Sequence, residues 1–108
     1  MLPKKNRVDT KTVKEIFKDG SFINSASLTF KFILTEKSIQ PRISFIAPKS
    51  ITKIAVKRNL LRRRGYIALG KYIRSFPPGL LGVFIFRKYQ DDILILEDEI
   101  KNILNKIN

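Results

Sequence analysis

The sequence predicts one small domain of the α/β class, a two-layer α/β (α+β) sandwich with the element order αββαβα. Three observations predict it. A chain of 108 residues has room for one core and not for two. Its hydrophobic content of 44% supports a packed interior despite a net charge of +13. The apolar residues also change period along the chain. They recur at every second position in segments 28–34 and 42–47, and at helical spacing around 10–19, 53–76 and 96–107.

The first helix is expected from Thr10 to Asp19. Asp9 or Thr10 caps it, Val13, Ile16 and Phe17 form an i, i+3, i+4 stripe, and Gly20 closes it in the left-handed conformation. From Leu28 to Leu34, Leu28, Phe30 and Phe32 alternate with Thr29, Lys31 and Ile33, which is the period of a strand. Thr35 to Pro41 is polar and ends in proline, so it reads as a hairpin loop. Arg42 to Ala47 forms a second strand with Ile43, Phe45 and Ala47 opposite Arg42, Ser44 and Ile46. Pro48 stops it, because proline has no amide to donate to the ladder.

Lys53 to Phe76 is helical in pattern, with Leu61, Ala68, Leu69, Tyr72 and Phe76 on one face and Gly65 among them. A glycine there costs about 1 kcal/mol against alanine. Either the close approach of a neighbouring element or a kink accounts for it. Lys57, Arg64 and Lys71 recur at heptad spacing as a basic stripe beside the apolar one. Pro77-Pro78-Gly79 breaks the helix. Leu80 to Phe86 is apolar with almost no alternation, as expected of a strand buried on both faces. Asp91-Asp92 marks a turn. Leu96 to Ile107 forms the last helix, with Ile100, Ile103, Leu104 and Ile107 inward and Glu97, Asp98 and Glu99 in its first turn.

Charge is distributed unevenly along these elements. Between Lys37 and Gln90 there is no acidic residue, and the densest part reads Lys57-Arg58-Asn59-Leu60-Leu61-Arg62-Arg63-Arg64. Cations packed so closely repel one another, and leaving the acids out suits a polyanionic partner whose condensed counterions are released on binding. Nucleic acid is the leading partner on this ground. With no His and no Cys the chain has no imidazole base, thiolate nucleophile or thiolate–imidazole zinc site. Asp98 with Asp91 or Asp92 is read as serving the helix dipole rather than a hard cation. A self-sufficient protein catalyst is not expected. No apolar run reaches the roughly 20 residues that span a bilayer, and Met1-Leu2-Pro3-Lys4-Lys5 lacks the apolar stretch of a signal peptide. A cytoplasmic location is expected, consistent with the missing cysteines.

The segments Arg42-Ile43-Ser44-Phe45-Ile46-Ala47-Pro48-Lys49 and Ala55-Val56-Lys57-Arg58-Asn59-Leu60-Leu61-Arg62-Arg63 resemble the protein subunit of bacterial ribonuclease P. So do Asn6-Arg7-Val8 and Phe17-Lys18-Asp19-Gly20, and the resemblance covers nearly all of the chain. Two positions depart from the family pattern. Leu60 stands where a second arginine is usual, and Lys49-Ser50 keeps one of two usual lysines.

The resemblance implies the ribosomal protein S5 domain 2-like fold with a left-handed βαβ crossover. It also implies a protein that binds a catalytic RNA and the 5′ leader of precursor tRNA. In that family the RNA, with bound Mg²⁺, performs the hydrolysis. No organic cofactor, membrane or obligate protein partner is implied.

Carried over by position, Lys49, Lys53, Lys57, Arg58, Asn59, Arg62, Arg63 and Arg64 are the candidates for the RNA subunit. The leader is expected in a cleft between the first helix and the open sheet face, at Val13, Phe17, Thr29, Lys31, Ser44 and Ile46. Each has a plainer alternative. The basic helix can be a solvated face with snorkelling arginines, Asn59 can serve the local backbone, Phe17 can be core, and Lys31 can be solvated. A small basic ribosomal protein or assembly factor shares the size and charge. A DNA-binding regulator would need a recognition helix that these strands do not suit, and a membrane-surface protein a continuous exposed apolar face.

Overall fold

The computed structural model describes residues 7–36 and 40–107. The basic opening Met1 to Lys5, Asn6 of the opening motif, and Lys37 to Ile39 in the expected loop lie outside the described residues. Helix α1 spans Thr10–Asp19, strand β1 Ser21–Asn24, β2 Leu28–Leu34 and β3 Arg42–Ile46. Helix α2 follows at Ala55–Gly70, β4 at Leu80–Phe86 and α3 at Ile93–Ile107. This is the α/β class expected, with one strand more than the sequence pattern predicts.

The sheet order is β1-β2-β4-β3, with β2 antiparallel to both β1 and β4, and β3 parallel to β4. The expected hairpin between the second and third of these strands is therefore not formed. The most continuously apolar strand, β4, lies between them, since only a central position buries both of its faces. Val83 is buried on one face and Phe84 on the other. Helix α2 makes the crossover between the parallel pair.

Strand alternation sorts the side chains onto two faces. One carries Leu28, Phe30, Ile43, Phe45, Phe84 and Phe86, which join Leu61 and Leu69 of α2 and Leu96, Ile100 and Ile103 of α3 in the main core. Phe30, Phe84 and Phe45 occupy one rung across three strands, with ring centroids 4.3 and 4.9 Å apart. Sheet and α2–α3 pair are the two layers of the sandwich. Helix α1 packs against β2 and β4 from the other face, where Ile16 and Val83 are buried apart from the main core.

Asp9 caps α1 as predicted, its Oδ1 accepting the Thr12 amide at 2.8 Å. That bond holds the Asp9 carboxyl below its ordinary range. Gly20 is not left-handed: its φ of −77° and ψ of 152° are extended, and the chain passes directly into β1. A Cβ at Gly20 would press on the Ile16 carbonyl oxygen and lie 3.0 Å from that of Phe32. Glycine is needed for this close approach and not for a turn.

Gly65 has the same kind of cause, since a Cβ there would stand 2.6 Å from the Phe45 ring. Close approach, not a kink, accounts for it.

Two helix boundaries differ from expectation. Helix α2 stops at Gly70 and gives way to a short 3-10 turn at Ile73–Ser75. Phe76 precedes Pro77, which excludes the α conformation there. Its ring still reaches the core, so the apolar spacing continues across the break. Helix α3 starts at Ile93 because Asp92 caps it, accepting the Leu94 amide at 2.9 Å and that of Ile95 at 3.3 Å. Glu97, Asp98 and Glu99 therefore lie past the first turn. Glu99 is buried and accepts the Ser27 amide at 2.7 Å and the Ser25 hydroxyl. It ties α3 to the turn between β1 and β2. No described helix is long and apolar enough to cross a membrane.

Candidate nucleic-acid interfaces

The candidates on and before α2 divide by what their side chains already hold. Lys49, Lys53, Lys57, Asn59 and Arg63 are exposed, while Arg58, Arg62 and Arg64 are half-buried. Arg58 donates to the Thr52 carbonyl at 3.1 Å and so fixes the entry to the helix. Arg62 donates to the Asn59 side-chain oxygen, so Asn59 serves an arginine and not the backbone. Arg64 reaches the Asp91 carbonyl at 3.5 Å, and Lys71 pairs with Glu97 at 3.6 Å. The heptad stripe thus turns into the seam between α2 and α3 at these two positions. No arginine or lysine within α2 has a carboxylate partner among the described residues.

Arg58, Arg62 and Tyr66 succeed one another at i, i+4 and i+8 and so run along one edge of α2. Tyr66 brings that edge to β3, its hydroxyl accepting the Phe45 amide at 3.1 Å. The Arg7 guanidinium stands 4.2 Å from the centre of the Tyr66 ring. Arg7 therefore adds a cation beside that edge at Tyr66, one turn beyond Arg62. Sequence reasoning did not give it this role, because the contact joins residues distant along the chain.

The groove candidates fall on the sheet face that α1 crosses, in two rungs fixed by strand register. One rung runs Ser44, Val83, Lys31, Phe22 from β3 to β1; the next runs Ile46, Ile85, Thr29, Asn24. Val13 is half-buried on α1, while Phe17 is 46% exposed and so is not core. The Lys31 ammonium stands 5.0 Å from the centre of the Phe17 ring, a cation–π contact. Thr29 and Ile46 are half-buried, and Thr29 donates to the Asn24 side chain at 2.7 Å.

Ser44 is buried with its hydroxyl engaged. It accepts the Val8 amide at 2.9 Å and donates to the Val8 carbonyl at 3.2 Å, fastening the segment before α1 to β3. Ile85, Asn24 and Phe22 belong to these rungs and were not among the candidates. Ile85 lies in a strand without visible alternation, and the other two lie in the strand that the pattern does not reveal.

The fold is that of solved ribonuclease P proteins. The RNase P protein from Thermotoga maritima matches with a TM-score of 0.81 and 20% identity, over 94% of this chain and 97% of that one. A Staphylococcus aureus RNase P protein matches at 0.74 and 18% identity, over 94% of each chain. A second Staphylococcus aureus structure matches at 0.71 and 20% identity, covering 98% of this chain and 92% of that one. No protein of curated function matches the chain by sequence. The Ribonuclease P family model extends over residues 2–108, helix edge and groove included, so the chain belongs to the ribonuclease P protein family.

Proposed function

We propose that the chain is the protein subunit of a bacterial ribonuclease P, binding the catalytic RNA with its α2 edge and the 5′ leader of precursor tRNA in the α1–sheet groove. Cleavage of the leader, giving mature tRNA 5′ ends, is assigned to the RNA. The observation that carries this reading is the α2 edge. Arg58 and Arg62 line up toward Arg7, no α2 cation has a carboxylate partner among the described residues, and an outside polyanion completes the charge balance.

Arg62 is the cation best placed to compensate for Leu60, since Arg64 is directed toward α3. Mg²⁺ belongs to the RNA in this reading. Four of the chain's nine carboxylates are otherwise engaged: Asp9 and Asp92 cap helices, Glu97 pairs with Lys71, and Glu99 holds the β1–β2 turn. The cytoplasm, where precursor tRNA is made, is the proposed location.

Reconstitution tests the whole reading. The protein alone should leave precursor tRNA uncut, and the protein with a bacterial ribonuclease P RNA should cleave it at Mg²⁺ levels where the RNA alone is slow. Robust cleavage by rigorously RNA-free protein, or no stimulation of the RNA, would overturn it. Co-purification with ribosomal particles in place of one structured RNA would support an assembly factor instead.

A further inference from the structure

The rung that carries Lys31 does not end on β2. Its next member is Phe22 on β1, paired directly with Lys31 across the strands. Directly opposed residues in a sheet hold their Cβ atoms about 4.5–5.5 Å apart on the same face. The Lys31 ammonium is also 5.0 Å from the Phe17 ring centre. One cation is thus bordered by two aromatic residues, one from α1 and one from β1.

Phe22 is 63% exposed, so burial does not account for a phenylalanine there. Phe22 is not a lone apolar residue on the surface, because Phe17 is exposed too and both border Lys31. Its strand is also firmly held. Glu99 takes the Ser25 hydroxyl and the Ser27 amide, the Arg87 guanidinium donates to the Ser25 carbonyl at 2.7 Å, and Asn24 accepts from Thr29. The ring is presented from a fixed backbone.

Single-stranded RNA repeats base, phosphate, base, and aromatic platforms flanked by positive charge are what such strands bind. We propose that Phe22 is a second base platform, so that the groove extends past Lys31 to the sheet edge. It then takes two successive unpaired nucleotides, one on Phe17 and one on Phe22, with the intervening phosphate at Lys31. The proposal rests on the assignment of the leader to the groove, and it adds a position at which leader length is read.

The test uses the protein assembled with its RNA subunit and precursor tRNAs whose leaders are shortened one nucleotide at a time. The dissociation constant of each precursor is compared with that of mature tRNA. Phe22→Ala should weaken binding about 5- to 150-fold, the range for one base–aromatic stack. It should do so only for leaders long enough to pass Phe17, while Phe17→Ala should weaken binding of shorter leaders too. Phe22→Tyr should restore the preference.

If Phe17→Ala acts and Phe22→Ala does not at any length, the second platform is wrong and the groove assignment stands. If neither variant acts, the leader does not lie in the groove and both fall. An equal loss for mature tRNA and every precursor, or loss of assembly with the RNA subunit, would make Phe22 a structural residue and overturn the platform.

Discussion

The α2 edge and the α1–sheet groove hold positive charge in opposite ways. Along α2 the cations follow helix spacing, and the side-chain bonds of Arg58 and Arg62 go to neutral oxygens that leave their charge unbalanced. In the groove the ammonium of Lys31 lies against an aromatic ring on a floor of half-buried Ile46, Ile85 and Thr29. The first surface suits a partner whose phosphates are fixed in a structured RNA, where binding is driven by counterion release and falls steeply with salt. The second suits a flexible strand whose bases are unpaired, where stacking contributes most and salt matters less. Both use β3, the first through Phe45 and Tyr66, the second through Ile46 and Ser44 on alternate positions of that strand.

The largest effect is expected from removing charge on the α2 side. Arg62→Ala with Arg63→Ala should weaken binding to the RNA subunit by about 3 kcal/mol, the lower end for two charge-assisted bonds. The slope of log affinity against log salt should fall by roughly 0.7–0.9 for each phosphate that is no longer neutralised. Stability should change by no more than about 0.5 kcal/mol at exposed Arg63, and by more at half-buried Arg62, which also loses its bond to Asn59. A salt titration of binding, with thermal unfolding alongside, checks this. Unchanged affinity and slope would place the RNA interface elsewhere and dissolve the contrast between the two surfaces.

How far these surfaces were legible differs with the range of the interactions that build them. The α2 cations and the parity of β2 are local facts: Lys31 alternates with Phe30 and Phe32 because the two faces of β2 meet different surroundings. Gly65 was legible as a place of close contact or a kink, and only the position of Phe45 decides between them. Strand β1 was not legible. Four residues display no period, and this strand depends on the edge offered by β2 and on Glu99, far along the chain. The insertion of β4 between β2 and β3 is likewise non-local, because a strand's partners leave no trace in its own alternation. The alternation of β3 put Ser44 on the groove face, but that its hydroxyl is occupied by Val8, from before α1, is a non-local fact.

An intermediate effect is expected where the two surfaces share a support. Replacing Gly65 by Ala puts a methyl group against Phe45, which is already stacked on Phe84 and edge-on to Tyr66. Overpacking of this kind costs about 1–3 kcal/mol, and the better helix propensity of alanine returns up to about 1 kcal/mol. A net loss of about 1 kcal/mol is expected in urea unfolding. Because Phe45 and Ile46 are neighbours on β3, affinity for the RNA subunit and preference for precursor tRNA should decline together. A decline in one alone would mean that β3 does not transmit the displacement.

The smallest effect should come from Lys31→Ala, and it separates the surfaces most cleanly. The ammonium sits over the Phe17 ring on the groove side, with no carboxylate bonded to it among the described residues. An exposed cation–π contact contributes about 0.5–1 kcal/mol, less than the 1–3 kcal/mol of a base–aromatic stack. The precursor-over-mature preference should therefore fall less than in Phe17→Ala. Unlike the loss of Phe17, it should come with a drop of roughly 0.7 in the salt slope, the amount for one phosphate of a single strand. Lys31→Arg should keep that slope, since the charge remains. Assembly with the RNA subunit, and its own salt slope, should be untouched by either change, whereas the paired α2 substitutions should alter that slope and leave the precursor preference alone. Measuring both slopes in both variants gives a crossed comparison. A Lys31→Ala variant that keeps the precursor slope and loses the RNA-subunit slope would move Lys31 to the RNA interface and take it out of the groove.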